Sequence, residues 1–264
     1  MTQPLSYPSD LTDTQWKRLE PLILPAKPGG RPRTANMRQV TNAILYLLRT
    51  GCQWCMLPHD FPPWQTVYGY FRKWKQTKLW RTINDLLRQE VRVAAGRDPE
   101  PSAAILVSQS VKTTEQGGTR GYDAAKKING RKRHILVDTL GLLLMVVVHT
   151  ASLQDFDGAK LVLFKVRHSL PRLVLIWADQ IYAHVADWVT KRCHWTMEIV
   201  KRPEGSKGFQ VLPRRWVVER TLAWLGHSRR LSKDYERLAE TSESMVYAAM
   251  IHLMLKRLDR LQTA

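Results

Sequence analysis

The chain has 264 residues, of which 44% are hydrophobic, so it can bury the core of one large domain or of two small ones and is not a disordered chain. Its 41 Lys and Arg residues against 23 Asp and Glu residues give a formal net charge of +18, which favours a polyanionic partner, nucleic acid first, over a merely basic soluble surface. The chain has three cysteines and no N-terminal signal peptide, which argues against a disulfide-rich secreted protein. It has no apolar run near the ~20 residues of a membrane span, which argues against a membrane protein. The sequence therefore predicts a soluble cytoplasmic protein.

The first predicted domain covers residues 1–97, and its apolar periodicity is helical. Helices are expected over residues 16–23, 37–49, 64–76 and 79–93. Thr12 or Asp13 would cap the first helix, and Gly51 would end the second. Short helices with basic flanks predict a small all-α, helix-turn-helix-like DNA-binding domain. Its recognition helix, residues 64–75, would present Arg72 and Lys73 to DNA; the alternative is an ordinary basic helix with a solvated face.

The second predicted domain covers residues 98–264 and follows a linker at 95–101 that contains prolines and a glycine. Strands are expected over residues 104–109, 134–138, 142–150, 173–178 and 196–201, the second and third forming a hairpin. Helices are expected over residues 157–166, 183–192, 214–230 and 242–261. Residues 112–130 have the polar, glycine-containing composition of a loop. The alternation predicts an α/β fold with a mixed sheet and flanking helices.

Two acidic residues stand where catalysis is expected. Asp179 follows the apolar strand 173–178, at the carboxyl edge of the sheet where open α/β sheets bind ligands, although an Asp there also caps helices. Glu219 lies on a basic helix, where a surface ion pair is the simpler interpretation. Two carboxylates held together bind divalent metal ions, and metal ions drive phosphodiester chemistry. The best position for a third acid, on the strand 104–109, carries Val107.

Several long segments carry a family resemblance. They are residues 106–114, 121–134, 176–179 and 214–225, with residues 51–54 and 64–68 in the first domain. These segments resemble bacterial insertion-sequence transposases of the DDE type, IS-five group, over nearly the whole chain. The resemblance implies an RNase H-like catalytic domain in which an Asp, Asp, Glu triad binds Mg²⁺, with Mn²⁺ as a substitute. By position, Asp179 is the second acid and Glu219 the third, and both are implied metal ligands.

The resemblance also implies the reaction and the partners. The family cuts transposon ends by hydrolysis and joins the 3′ ends to target DNA. Double-stranded DNA is therefore the expected partner, as terminal inverted repeats and as target. A homo-oligomer is expected in the synaptic complex that holds two ends, and the protein is expected at the nucleoid.

The chain departs from the family pattern at the site itself. Val107 occupies the position of the first aspartate and has no oxygen donor for a metal ion. Ser108 is predicted to point to the other face of the sheet, and Asp138 lies at the far end of the hairpin. After Asp179, Gln180 and Ile181 replace a glycine-rich turn, which risks strain if a positive φ is needed there.

Three functions remain open from these residues. The first is a DNA transposase with impaired cleavage. The second is an inactive DNA-binding derivative that occupies or represses transposon ends. The third is a nuclease-like relative that uses a different first acid, for which Asp138 is the first candidate.

Basic residues cluster in two further places. Lys126, Lys127, Arg131, Lys132 and Arg133 are predicted to form a loop that binds phosphates. Five arginines are predicted to form a basic rim beside Glu219: Arg214, Arg215, Arg220, Arg229 and Arg230.

Other polar groups are weaker candidates. Cys52, Cys55 and His59 have partial zinc-ligand spacing, but buried thiols are favoured. Asp155 and Asp157 are expected to cap a helix.

Overall fold

The N-terminal part of the chain is helical. The computed structural model describes residues 7–23, 25, 33–200 and 216–263. The first helices are α1 (Asp13–Leu19), α2 (Met37–Thr50), α3 (Trp64–Gln76) and α4 (Leu79–Ala94). Thr12 forms a reciprocal capping box with Gln15, and Gly51 ends α2 in the left-handed conformation, at φ 75°. The predicted start of the first helix at Thr12 and the predicted end of the second at Gly51 are therefore confirmed.

A mixed sheet follows the helices. Its strands are β1 (Ala103–Lys112), β2 (Gly121–Asp123), β3 (Ile128–Asp138), β4 (Leu143–Thr150), β5 (Leu175–Ala178) and β6 (Thr196–Ile199). The spatial order is β2-β3-β1-β5-β6, and β4 pairs with β3. β1 is antiparallel to β3 but parallel to β5, which is parallel to β6.

Four helices flank this sheet: α5 (Asp155–Val166), α6 (Ala186–Cys193), α7 (Trp216–Gly226) and α8 (Ala239–Thr263). The predicted fold, an RNase H-like mixed sheet with flanking helices after an all-helical N-terminal region, is confirmed. Within the described part of the chain, no helix combines the length and the apolar character that crossing a bilayer requires.

Side chains alternate along β1 and give the sheet two apolar faces. Ile105 and Val107 contact the core formed with the N-terminal helices, α7 and α8; we call this side the α8 face. Ala104 and Leu106 contact the core formed with α5 and α6, on the side that we call the α5 face. Odd-numbered residues at positions 105 and 107 of β1 therefore face the α8 side, and even-numbered residues at 104 and 106 face the α5 side.

The core on the α8 face is continuous across both predicted domains. Ile44 and Leu87 of the N-terminal helices belong to the same buried cluster as Val146 of β4 and Met254 of α8. The boundary at residues 97 and 98 stays a prediction. Since the apolar core does not divide there, the helices and the sheet stabilise each other.

A buried ion pair joins α4 to the turn between β3 and β4. Arg92 Nη1 lies 2.7 Å from Oδ2 of Asp138, and Asp138 is fully buried. The other carboxylate oxygen, Oδ1, accepts hydrogen bonds from the backbone N–H groups of Leu140 and Leu142, at 2.9 and 2.8 Å. Both oxygens of Asp138 are thus used in holding the turn. This residue does not serve as a replacement first acid, which corrects that expectation.

The largest difference from the predicted elements is β3. It begins at Ile128 rather than at residue 134, and β2 pairs with it inside the segment predicted as a loop. The polar run from Arg131 to His134 conceals this strand in the sequence, because buried charged side chains look like a loop until their partners are known. In addition, a 3-10 turn at Gln180–Val185 replaces the start of a predicted helix, and α7 ends at Gly226.

We expect Asp138→Ala to lower the free energy of unfolding by about 3–5 kcal/mol, because it leaves a buried guanidinium and two backbone donors without their acceptor. Chemical denaturation of both proteins measures the difference. Glu90→Ala is the control, since Glu90 pairs with Arg18 at the surface and its loss is expected to cost ~1 kcal/mol or less. Equal effects of the two substitutions would contradict a structural role for the buried pair.

Candidate active site and nucleic-acid surface

The strands bring Val107 beside Asp179. β1 and β5 are parallel, and the last pair of their ladder joins Ile105 to Trp177. Continued by two residues, this register places Val107 opposite Asp179, at the ~4.8 Å spacing of adjacent strands. Trp177 contacts the core of the α8 face, and Asp179 keeps an extended backbone, at φ −82° and ψ 175°. By alternation, Asp179 therefore lies on the same face as Val107.

Glu219 approaches the same face from α7. Val217 and Val218, the two residues directly before it, are buried in the core of the α8 face, whereas Glu219 is exposed. The turn between β3 and β4 positions this helix. Thr221 Oγ1 donates to the carbonyl of Gly141 at 3.0 Å, and Arg220 Nη2 donates to the carbonyl of Leu140 at 3.1 Å. The two surviving acids and Val107 thus belong to one face of the sheet.

The side chains at this point do not complete a metal centre. Val107 is half-buried and packs against the apolar core, so it offers no ligand. Across the described ranges, no three His, Cys, Asp or Glu side chains come together as a group that could hold a metal ion. A two-metal phosphodiester site needs several oxygen ligands. The residues present therefore do not fit the pair of metal ions that the triad would hold.

The turn after Asp179 is not strained. Asp179 Oδ1 accepts a hydrogen bond from the backbone N–H of Ile181 at 3.2 Å, so the capping interpretation of this residue also holds. Ile181 is 49% exposed, and neither it nor Gln180 is among the residues with positive φ. The expectation of strain at Gln180 and Ile181 is therefore wrong, and the departure from glycine is accommodated in a 3-10 turn.

Comparison with known proteins agrees with this architecture. A family model described as "Putative transposase of IS4/5 family" matches residues 11–100, and one described as "Transposase DDE domain" matches residues 98–254. The chain belongs to the IS4/5 family of DDE transposases. No solved structure matches it significantly.

Two curated relatives come from Burkholderia cepacia. The chain is 30% identical over 171 residues to "Putative transposase for insertion sequence element IS402", an alignment that covers 61% of the chain and 80% of the relative. It is also 30% identical over 118 residues to "Insertion element IS402 uncharacterized 16.2 kDa protein", covering 42% of the chain and 78% of that relative.

The transposase buries most of the predicted basic loop. Arg131, Lys132 and Arg133 are at most 3% exposed and lie in β3. The guanidinium of Arg131 donates to Asp234 and to the backbone carbonyls of three residues, and that of Arg133 donates to two backbone carbonyls. The prediction that these three residues form an exposed phosphate-binding loop is therefore corrected. Lys126 and Lys127 are exposed and remain candidates.

Lys132 belongs instead to a polar network on the α5 face. Its Nζ lies 3.4 Å from Oδ1 of Asp155 and 3.5 Å from Oδ2 of Asp123. Asp155 Oδ1 also accepts from Ser108 Oγ at 2.7 Å and lies 3.4 Å from Nε2 of His134. Asp155 is thus the centre of a buried network rather than the helix cap that the sequence predicts. Ser108 faces it, on the side predicted for this residue.

Arg220 is held between aromatic rings. Its guanidinium carbon lies 4.2 Å from the ring centre of Trp216 and 4.7 Å from that of Trp224. The guanidinium carbon of Arg257 lies 4.1 Å from the same ring centre of Trp224. Burial lowers the pKa of the Arg220 guanidinium. Its contact with DNA stays a prediction, and Arg214 and Arg215 lie outside the described residues.

A basic surface that the sequence did not reveal runs from α7 to α2. We call it the basic stripe, and its members are Arg220, Arg257, Arg260, Lys256 and Arg49. Burial lowers the pKa of Lys256, and the charges of Arg49 and Arg260 lower it further. The pKa of Arg257 is lowered by burial, then by the charges of Arg220 and Arg260. Arg220 and Arg257 both lie over the ring of Trp224. Lys256 and Arg260 are one turn apart on α8, and α2, which carries Arg49, contacts α8.

Other predicted residues have mixed outcomes. Arg72 and Lys73 are exposed on α3, while Phe71 and Trp74 are buried, as predicted for this helix.

A long connection, residues 51–63, joins α2 to α3, where a helix-turn-helix motif would have a short turn. The helix-turn-helix motif stays a prediction for this transposase. Cys55 is exposed and Cys52 half-buried, so the expectation of buried thiols is wrong for this pair.

We expect the transposase to lose stability as pH falls from about 6.5 toward 4. Burial lowers the pKa of His149 from 6.5 to about 4, and His149 Nε2 lies 2.8 Å from Nδ1 of His134, whose pKa burial also lowers. A depressed pKa means that the unfolded chain binds protons first, so the stabilisation is complete above pH 6.5 and is lost on acidification through this window.

Thermal unfolding between pH 4 and pH 7 measures this loss. His149→Gln is expected to give a shallower dependence of Tm on pH, because it removes one of the groups that titrate. His252, whose pKa burial lowers to about 3, leaves a residual slope in the variant. His168→Gln is the control, since His168 is exposed. A slope in His149→Gln as steep as that of the parent would refute the assignment.

Proposed function

We propose that this chain binds duplex DNA at the ends of an insertion sequence and that its strand cleavage is strongly impaired. Membership of the IS4/5 transposase family supports the substrate class. The observation that carries the proposed impairment is the parallel register of β1 and β5, in which Ile105 pairs with Trp177, two residues before Val107 and Asp179. An apolar side chain there removes the oxygen ligand nearest to Asp179.

Asp179 and Glu219 supply the carboxylates of the proposed site. They offer partial coordination for Mg²⁺, or Mn²⁺ in its place, and we propose that binding is weak without a first acid. The carboxylate oxygen of Asp179 that accepts from Ile181 is already oriented by that hydrogen bond. The turn that binds Arg220 and Thr221 holds the helix of Glu219 in register with the sheet. The protein thus keeps the frame of the site without one of its ligands.

The basic stripe is the proposed track for the DNA backbone. Lysine and arginine side chains bind phosphates without reading sequence, and each contact releases counterions. The stripe lies on the α8 face with Glu219, so a duplex that follows it passes the acids. Lys126 and Lys127, and Arg72 and Lys73 on α3, are further proposed contacts with the terminal repeats.

The packing of Val107 also supports a second function. A side chain that contacts the apolar core is compatible with a stable fold that has no catalytic role. In this alternative the chain is an inactive derivative that occupies or represses transposon ends. Both proposals require duplex binding, and a homo-oligomer that holds two ends at the nucleoid is proposed for either. Cleavage separates them.

We expect Val107→Asp to raise cleavage of the element's terminal repeats by about 100-fold or more in Mg²⁺, because one missing electrostatic contact to a transition state typically costs a factor of 10²–10³. Gel assays of strand cleavage and strand transfer, repeated in Mn²⁺, measure the gain. Val107→Asn is the matched control, since it changes polarity without adding a charge.

Each outcome of the cleavage assay separates the proposals. Equal activity of the parent and Val107→Asp would show that another acid completes the site. If Val107→Asp shows no cleavage but binds DNA as the parent does, the result would support the inactive DNA-binding derivative.

We expect Lys256→Gln and Arg49→Gln each to weaken duplex binding and to reduce the slope of log K against log salt by about one, because each removes one phosphate contact. Fluorescence anisotropy over a range of salt concentrations measures both quantities. Lys191→Gln is the control, because Lys191 is exposed on α6, across the sheet. An equal loss in the control would show that only net charge matters and would reject the stripe as a DNA track.

A further inference from the structure

A cavity of about 1160 Å³ lies where the N-terminal helices meet the catalytic part of the chain. One wall comes from the end of α2, the connection that follows it and the start of α3. The opposite wall comes from the residues just after β1 and from the segment that leads into α8. The cavity exceeds the ~300 Å³ lower limit for small-molecule sites, so it can hold more than one ring-sized group.

Aromatic rings dominate the first wall. Trp64 and Tyr68, one turn apart on α3, are 37% and 39% exposed. Trp54 supports them, because its ring packs edge-on against Tyr68 with centroids 5.2 Å apart. Aromatic side chains are large apolar groups that normally bury their faces. Two adjacent rings held open over a cavity therefore offer flat surfaces for another planar group.

Polar groups occupy the second wall. The side chain of Arg237 is exposed there, and its backbone carbonyl is fixed by the buried Arg131. Arg230 donates to Glu236 at 2.7 Å and lies 5.4 Å from the ring centre of Tyr235. Thr114 Oγ1 is buried and has no hydrogen-bond partner among the residues described. The wall therefore combines a cation with an unsatisfied hydrogen-bonding group.

We propose that this aromatic cavity binds unpaired nucleotides of a DNA strand. An unpaired base stacks on aromatic rings whatever its identity, and a cation beside it binds the adjoining phosphate. Trp64 and Tyr68 supply the rings and Arg237 the cation, beside the exposed carboxylate of Glu115. A proline-rich peptide also uses aromatic grooves, but the chain's charge of +18 favours the polyanion. The proposal rests on the proposed function, namely that the chain binds DNA.

The cavity also lies at a defined distance from the catalytic position. From Val107, β1 continues to its end at Lys112, and Thr114 lies two residues beyond that end. At ~3.3 Å for each residue, Val107 and Thr114 are roughly 20 Å apart. The α3 wall belongs to the helices that cover the α8 face, on the side of Val107 and Glu219. A single DNA end thus spans both places, with its unpaired nucleotides several positions from the scissile phosphate.

The test uses the full chain and an oligothymidylate strand that contains one 2-aminopurine. Stacking is expected to quench the fluorescence of this base. Trp64→Ala is expected to weaken binding by about 5- to 100-fold, because one base–aromatic stack is lost. Trp64→Phe retains a ring and is expected to stay within about threefold of the parent. Phe164→Ala is the matched control, since Phe164 is 53% exposed on α5, on the opposite face.

Duplex binding, measured in parallel by anisotropy, separates this proposal from the proposed function. Normal duplex binding by Trp64→Ala, with weakened binding of the single strand, supports the cavity. Unchanged single-strand affinity in both Trp64→Ala and Tyr68→Ala overturns it, as does competition by a proline-rich peptide but not by thymidylate. If the parent binds duplex but no single strand, only the cavity proposal fails; if it binds neither, the proposed function fails with it. Circular dichroism checks that the variants fold.

Discussion

The buried pair of Arg92 and Asp138 is the constraint on which the catalytic face depends. Asp138 uses one oxygen for Arg92 of α4 and the other for two backbone donors of the β3–β4 turn. That turn then accepts hydrogen bonds from Arg220 and Thr221 of α7, the helix that carries Glu219. Gly141 permits this approach, because its φ is 78° and an added Cβ would lie 2.7 Å from Thr221 Oγ1. The N-terminal helices therefore help to place Glu219, which is far away in sequence.

A second set of buried cations fixes the opposite end of the same face. Arg131 and Arg133 donate to backbone carbonyls between Leu231 and Arg237, and Asp234 pairs with Arg131. A buried guanidinium is costly unless its donors are satisfied, so these contacts allow the segment little freedom. The segment leads into α8, against which α4 packs, and forms one wall of the aromatic cavity. Residues that the sequence suggests for DNA contact are thus buried and stabilise the fold instead.

Local signals predicted most of the elements but not the partners of buried charges. The apolar spacing of α2, the glycine after it and the limits of α3 are visible in the sequence, because each depends on neighbours a few residues away. The start of β3 is not visible, since Arg131 and Lys132 look like loop residues until Asp234 and Asp155 approach from more distant segments. The roles of Asp179 and Glu219 as acids of the site stay predictions from motif and position. The role of Asp155 was not predictable, because its partners Ser108, Lys132 and His134 come from two strands that are distant in the sequence.

Strand alternation explains why no neighbouring residue substitutes for the missing acid. Val107 points to the α8 face, and Ser108 points to the α5 face, where its hydroxyl donates to Asp155. Moving Ser108 toward Asp179 would require β1 to slip by one residue, which would reverse every side chain of the strand and expose its apolar core. Asp155 belongs to α5, on the α5 face of the sheet. Asp138 is bound to Arg92 and the turn, so recruiting it would release α7 and with it Glu219. Position 107 is therefore the place on β1 where an acid would face Asp179 without changing the register of the strand.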